Sequence, residues 1–211
     1  MTTHMKQSII LRMDMGNSKR TEKLRQQYRN ILRRFSNAGN YDGYFIGKVS
    51  LEFNMAADAG KMSENQAHII KSRENYAELA AGGDFADGYL SIHMYLMKPV
   101  SKAAAHSNSG VQNKFATVNE YTQDMIFSKS EILSFVSDTG DFNPIHQGEH
   151  PVVPGLLIME KLILDLMHSF TIRFRTPLYA DEPVRLVSHK DSGRMDGYKC
   201  SDGIELFSCK Y

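Results

Sequence analysis

Apolar and polar positions change their period several times along this chain, and each change predicts an element. Residues 6–15 (KQSIILRMDM) are apolar but interrupted by charge, and a Gly-Asn-Ser turn follows, which predicts a first strand. From 19 to 35, Leu24, Tyr28, Ile31, Leu32 and Phe35 fall on one stripe of a helix that Ser18 could cap. Asn-Ala-Gly-Asn at 37–40 ends it. Segments 44–55, 66–80 and 88–97 then carry β-branched, aromatic and alternating patterns between Gly/Asp-rich turns. The first part of the chain therefore reads as strand, helix, then three or more strands.

Residues 102–113 (KAAAHSNSGVQN) are small and polar, the composition of a linker, and after them the same order returns. A strand is predicted over 115–125. Ser128-Lys129-Ser130-Glu131 is a capping box that opens a helix over 129–137, and 138–150 is a turn-rich loop. Pro154 starts a second helix. There Leu156, Leu157, Ile158, Met159, Leu162, Ile163, Leu164, Leu166 and Met167 face nearly every direction, the pattern of a helix wrapped by a sheet. Strands are expected over 171–179 and 183–189, and a hairpin over 198–211 turning at Asp202-Gly203. The expected fold class is α+β, a curved antiparallel sheet around a central helix.

Composition changes this picture little. The 211 residues are 42% apolar and 23% charged, and 25 basic against 24 acidic residues give no balance that points to nucleic acid or a membrane surface. The cancellation hides an asymmetry: 1–36 holds nine Lys/Arg against Asp14 and Glu22, and 120–165 holds eight acids against Lys129 and Lys161. Cys200 and Cys209 are too few for a disulfide scaffold and wrongly spaced for a zinc knuckle, so a reduced, cytoplasmic protein is expected. No signal-peptide pattern and no apolar run of membrane-spanning length is read in the sequence.

The chemistry-bearing segment is Ser137-Asp138-Thr139-Gly140-Asp141-Phe142-Asn143-Pro144-Ile145-His146. Gly140 and Pro144 break helix, so Asp141, Asn143 and His146 share an irregular loop where three polar side chains can converge. On composition alone such residues are more often structural than catalytic. The string resembles the S-G-D-x-N-P-x-H signature of MaoC-like (R)-specific enoyl-CoA hydratases, which are hotdog-fold proteins; Thr139 stands beside the glycine. His146 is followed by Pro151, Pro154, Gly155 and Glu160, which resembles the core of the 3-hydroxyacyl-ACP dehydratases (ACP, acyl carrier protein), also hotdog proteins. Gln147-Gly148 replaces the Phe-Pro usual after the dehydratase His, and the stretch from His146 to the helix is shorter than in most MaoC-like proteins. Residues 174–182 are similar to the family's F-x-x-P-V-x-x-G-D strand and turn, with Ala180 at the glycine position.

The resemblance covers roughly residues 127–185 and implies a hotdog fold. The N-terminal part has no such motif, and its element order implies a double hotdog: a degenerate half over 1–100, a linker over 101–114, and a half over 115–211 carrying the active site.

Hydrating a trans-2-enoyl thioester, or dehydrating a 3-hydroxyacyl thioester, needs one group for the proton of water or hydroxyl and one for the Cα proton. His146 can exchange a proton near neutral pH. The resemblance implies that Asp141 shares with His146 the binding and activation of water, with Asn143 orienting one of them. The helix start at Pro154-Gly155 offers N–H groups and a positive dipole end to a thioester oxygen becoming an enolate, and Gly155 permits close approach. In the dehydratase resemblance Glu160 is the catalytic acid, and in the MaoC resemblance Asp141 takes that role. A lone carboxylate on a helix apolar all round is costly unless paired, so Glu160 is functional, bonded to something specific, or turned to an exposed edge beside Lys161.

The function these residues imply is a hydratase or dehydratase of acyl thioesters. A hotdog thioesterase using Glu160 and a non-catalytic acyl-thioester binder are the alternatives. The expected substrate is an acyl-CoA or acyl-ACP, with CoA or phosphopantetheine belonging to the substrate and no separate cofactor. No metal is expected either: 146–150 spells H-x-x-E-H, but Gly148 and the neighbouring prolines preclude the helix that such a zinc site needs. A homodimer is expected from edge pairing of hotdog sheets, an internal pseudo-dimer being the alternative. Arg25, Arg29 and Arg33 are expected to face solvent, or else to receive CoA phosphates or the acidic surface of a carrier protein.

Overall fold

The computed structural model describes residues 15–36, 38–39, 41, 43–54, 67–98, 120–166 and 168–211. The strand expected over 6–15 lies outside the described residues except for Met15, which begins a helix instead, and the linker over 102–113 lies outside them as well. Helix α1 (Met15–Ser36) precedes four strands, β1 (Phe45–Asn54), β2 (His68–Arg73), β3 (Tyr76–Phe85) and β4 (Gly88–Met97). After them come β5 (Glu120–Met125), α2 (Lys129–Thr139), a 3-10 turn (Pro144–His146), α3 (Gly155–Leu166), β6 (Phe170–Phe174), β7 (Val184–His189), β8 (Arg194–Lys199) and β9 (Glu205–Lys210).

These strands form one antiparallel sheet in the order β2-β3-β4-β1-β6-β9-β8-β7-β5. Its midline is the β1–β6 pair, where Lys48 to Leu51 face Arg173 to Phe170. The order outward from that midline is the same on both sides. The strand that follows a long helix comes first (β1 or β6), then the last strand of that part (β4 or β9), then the one before it (β3 or β8), then β2 or β7. On the C-terminal side β5 extends the sheet beyond β7.

Period explains most of these elements. The stripe Leu24, Tyr28, Ile31, Leu32 and Phe35 is buried, and α1 packs on β3. Leu156 to Met159, Leu162 and Ile163 are buried all round α3, the wrapped helix that its uniform apolarity predicts. Ser128 Oγ accepts the Glu131 N–H at 3.2 Å, so the capping box opens α2 as expected.

Four expectations are corrected. Ser18 does not cap α1, because the helix starts at Met15. Segment 66–80 is not one strand: β2 and β3 form a hairpin around Glu74-Asn75, a two-residue connection at the end of the polar run 71–75. Helix α2 runs to Thr139 rather than 137, because its stop is Gly140 in the left-handed conformation (φ 72°). Strand β6 ends at Phe174 rather than 179: the Arg175 and Thr176 N–H groups turn to the Leu206 carbonyl, and Pro177 has no N–H for a ladder. No helix among the described residues is long and apolar enough to cross a membrane.

Candidate active site

Gly140 turns the chain out of α2, and Asp141, Asn143 and His146 follow within one compact loop. Asp141 Oδ1 accepts the Asn143 N–H at 3.3 Å, and Asn143 Oδ1 accepts the Ile145 N–H at 3.4 Å, opening the 3-10 turn that places His146. Asn143 Nδ2 donates to the Tyr44 carbonyl at 3.4 Å, just before β1. Both ends of the Asn143 amide therefore fix the loop itself.

His146 is buried and its ring orientation is determined by one bond. Nδ1 lies 2.7 Å from the Val152 carbonyl oxygen. A carbonyl only accepts, so Nδ1 carries the hydrogen and a neutral imidazole presents the Nε2 lone pair. That lone pair faces Asp141 Oδ2 at 3.5 Å. The carbonyl is itself held in place: the Val152 N–H donates to Ile145, the Val153 N–H donates to Leu178, and Val152 bridges to Tyr179. Thus 152–153 is pinned on both sides, and His146 is oriented by backbone that cannot swing. Two acceptors face each other at a distance just beyond a direct hydrogen bond. A proton on Nε2 would make them an ion pair, and a water donating one hydrogen to each would bridge them.

The start of α3 meets expectation in part. The Pro154 carbonyl takes the first helical bonds, from Leu157 at 2.9 Å and Ile158 at 3.3 Å, so the Gly155 and Leu156 N–H groups precede the intrahelical bonding. At Gly155 the close approach is made by the Phe174 ring, whose Cζ would lie 2.8 Å from a Cβ placed there. Glycine is thus required by a side chain of the sheet packed on the helix end.

Glu160 is placed elsewhere in this arrangement. Its side chain is 2% exposed, which excludes the edge position beside Lys161; Lys161 pairs instead with Glu131 at 2.7 Å. Arg29 grips Glu160 with a fork, Nε to Oε2 at 2.7 Å and Nη2 to Oε1 at 2.8 Å, and Arg25 Nε adds a third bond at 3.1 Å. The third arm of Arg29, Nη1, reaches Asp138 Oδ2 at 2.6 Å. Burial would lower the Arg29 pKa, but the facing Glu160 and Asp138 carboxylates outweigh it and the group is raised. Neighbouring Tyr28 is fully buried, donates its O–H to the Leu156 carbonyl at 3.0 Å, and is driven well above its ordinary pKa by that burial and then by the charge of Glu160. The expectation that Arg25, Arg29 and Arg33 simply face solvent fails for Arg29, which is buried. Tyr28, Asp138 and the Val152 carbonyl were not legible as site elements, and Arg29 was read only as a solvated or docking charge. The available signal was arginine at every fourth position beside the apolar stripe of α1, paired with the lone acid of an apolar helix.

Residues 146–150 form no helix beyond the single 3-10 turn, so the H-x-x-E-H spelling does not place His146 and His150 on one helical face.

No protein-family model matches the chain, and no curated protein matches it by sequence. Solved structures do match in shape. HtdX of Mycobacterium tuberculosis aligns over 93% of this chain and 94% of its own, with a TM-score of 0.57 and 10% identity. A MaoC-like dehydratase from Phytophthora capsici aligns over 82% of this chain and 70% of its own, at TM-score 0.50 and 12% identity. The peroxisomal multifunctional enzyme type 2 of Drosophila melanogaster aligns over 78% of this chain at TM-score 0.50 and 12% identity; the match spans only 36% of that enzyme. Strand order and these likenesses together make the chain an α+β protein of the hotdog fold, similar in architecture to a MaoC-like dehydratase.

Proposed function

We propose that this protein adds water to trans-2-enoyl thioesters, or removes it from 3-hydroxyacyl thioesters, using Asp141 and His146. One observation carries the reading: Nε2 of a ring oriented by Val152 lies 3.5 Å from Asp141 Oδ2, close enough for both groups to contact one water. In hydration, the water oxygen bonds to C3 and one of its protons passes to one member of the pair. The electrons of the C2–C3 double bond move toward the thioester oxygen, and C2 then takes a proton from that same member, now protonated, so that OH and H are added and the pair returns to its starting state. The N–H groups at the α3 start are the supporting feature for the enolate oxygen. CoA or phosphopantetheine would enter as part of the substrate. The repeated strand order supports the reading of the N-terminal part as a hotdog half without a site of its own.

Glu160 is a poor candidate for the nucleophile or base of a thioesterase, since guanidinium donors occupy both its oxygens. The test uses purified protein with a trans-2-enoyl-CoA, following conjugated enoyl absorbance and free thiol together. Absorbance lost without thiol release is the expected result. Thiol release without hydration would replace this reading with hydrolysis, and neither change would leave a binder.

A further inference from the structure

The N-terminal part contributes no acid or base to the loop, yet it touches that loop on either side of Asp141. Arg29 Nη1 holds the Asp138 carboxylate at 2.6 Å, and Arg33 Nε donates to the Asp138 carbonyl. The Ser36 side chain lies 3.1 to 3.2 Å from where a Cβ on Gly140 would stand. Beyond Asp141, the Tyr44 carbonyl accepts from Asn143 at 3.4 Å. The same helix fixes α3: Arg25 and Arg29 bind Glu160 and Tyr28 binds the Leu156 carbonyl. Consecutive turns of α1 thus brace two elements, the end of α2 that launches the loop and the helix start at Gly155.

We propose that Arg29 and Arg33 are positioning residues: by clamping Asp138 onto α1 they set the distance between Asp141 and His146. This rests on the hydratase reading for its effect on turnover, but not for its effect on geometry. A guanidinium that joins a buried carboxylate on one helix to a half-exposed one on another fixes their separation by its planar fork, which a flexible ammonium does not. Because Asp138 is three residues before Asp141 in a segment stopped by Gly140, release of Asp138 frees the loop to shift while His146 stays locked to Val152.

The experiment uses full-length protein carrying Arg33→Ala with Asp138→Ala, and separately Asp138→Asn, which keeps the shape of the side chain. Arg33 is exposed and Asp138 half-exposed, and circular dichroism checks that both variants remain folded. Two readouts are taken: kcat and KM for enoyl-CoA hydration, and the separation of Asp141 Oδ2 from His146 Nε2 in a crystal structure of each variant. The double variant should lose about 10- to 100-fold in kcat with little change in KM, as a small displacement of reacting groups does. The separation should change in the same variant, and Asp138→Asn should move both readouts less. An unchanged separation with kcat close to wild type overturns the proposal. If wild-type protein shows no hydration, the separation alone decides: a change upholds the clamp while the reaction reading fails, and no change overturns the clamp as well.

Discussion

Two carboxylates, Asp141 and Glu160, match catalytic positions in related sequence signatures, and the fold treats them in opposite ways. Glu160 is sealed, 2% exposed, and saturated by guanidinium donors at 2.7 to 3.1 Å. Asp141 is 30% exposed, accepts from the Asn143 backbone with one oxygen, and keeps the other turned to His146 at 3.5 Å. A buried charge must be fully compensated because desolvation costs it several kcal/mol, and a compensated charge has nothing left with which to do chemistry. A carboxylate at the edge of solvent retains capacity for a proton or a water. The contrast separates a carboxylate that organises helices from one that is free to react.

The largest expected effect tests the reactive side. Asp141→Asn and His146→Ala should each lower hydration by about 10²- to 10⁴-fold, the usual worth of a general acid or base, in protein that circular dichroism shows to be folded. Full activity in either variant removes that residue from the reaction.

Glu160→Gln should show the reverse pattern. It leaves Arg29 facing a neutral amide, for a loss of about 3 to 5 kcal/mol of stability in denaturant unfolding, while the turnover of the folded fraction falls far less than in Asp141→Asn. Arg29→Met should cost a similar amount by stranding Glu160. Replacing both with Met should recover most of the loss, because a fitted apolar pair removes the charge that needed compensation. Additive losses in the double variant would show that the two residues do not act as a pair.

The last effect is confined to alkaline pH. Burial, and then the nearby Asp196 charge, push the Cys209 thiol up to about 12. In the unfolded chain the thiol ionises near about 8.5, so above that pH the folded state binds the extra proton, and stability falls by about 1.4 kcal/mol per pH unit until the folded group titrates. Below that range the contribution is complete. Tyr28, also raised, adds a loss of the same sign above its ordinary value of 10.0, and part of its shift comes from Glu160. Cys209→Ala should flatten the decline above about pH 8.5, and Glu160→Gln should flatten only its upper part. Unfolding free energies across the alkaline range distinguish the two.

How much was legible follows from the range of each determinant. The α1 stripe, the α2 cap at Ser128 and the span of β4 were all readable, because each depends on residues within a turn or on neighbours two apart. The β2–β3 hairpin was hidden because its two-residue connection, Glu74-Asn75, has neither Gly nor Pro and merges with the polar residues 71–73 of β2. The end of β6 was set by the Leu206 carbonyl, more than thirty residues away, which no local pattern carries. In the loop, Asp141 and His146 could be named from the string, but not the 3.5 Å between them, which depends on the distant 178–179 segment holding Val152.

By itself, then, the sequence determined the elements, the α+β class, the wrapped character of α3 and the loop that holds the candidate residues, since periodicity and helix-breaking residues act over a few positions. Only the tertiary structure decided what each acid does. A carboxylate's role depends on which charges and donors surround it in space, and the arginines that claim Glu160 lie 131 and 135 positions away on a helix whose own stripe predicts only that it packs.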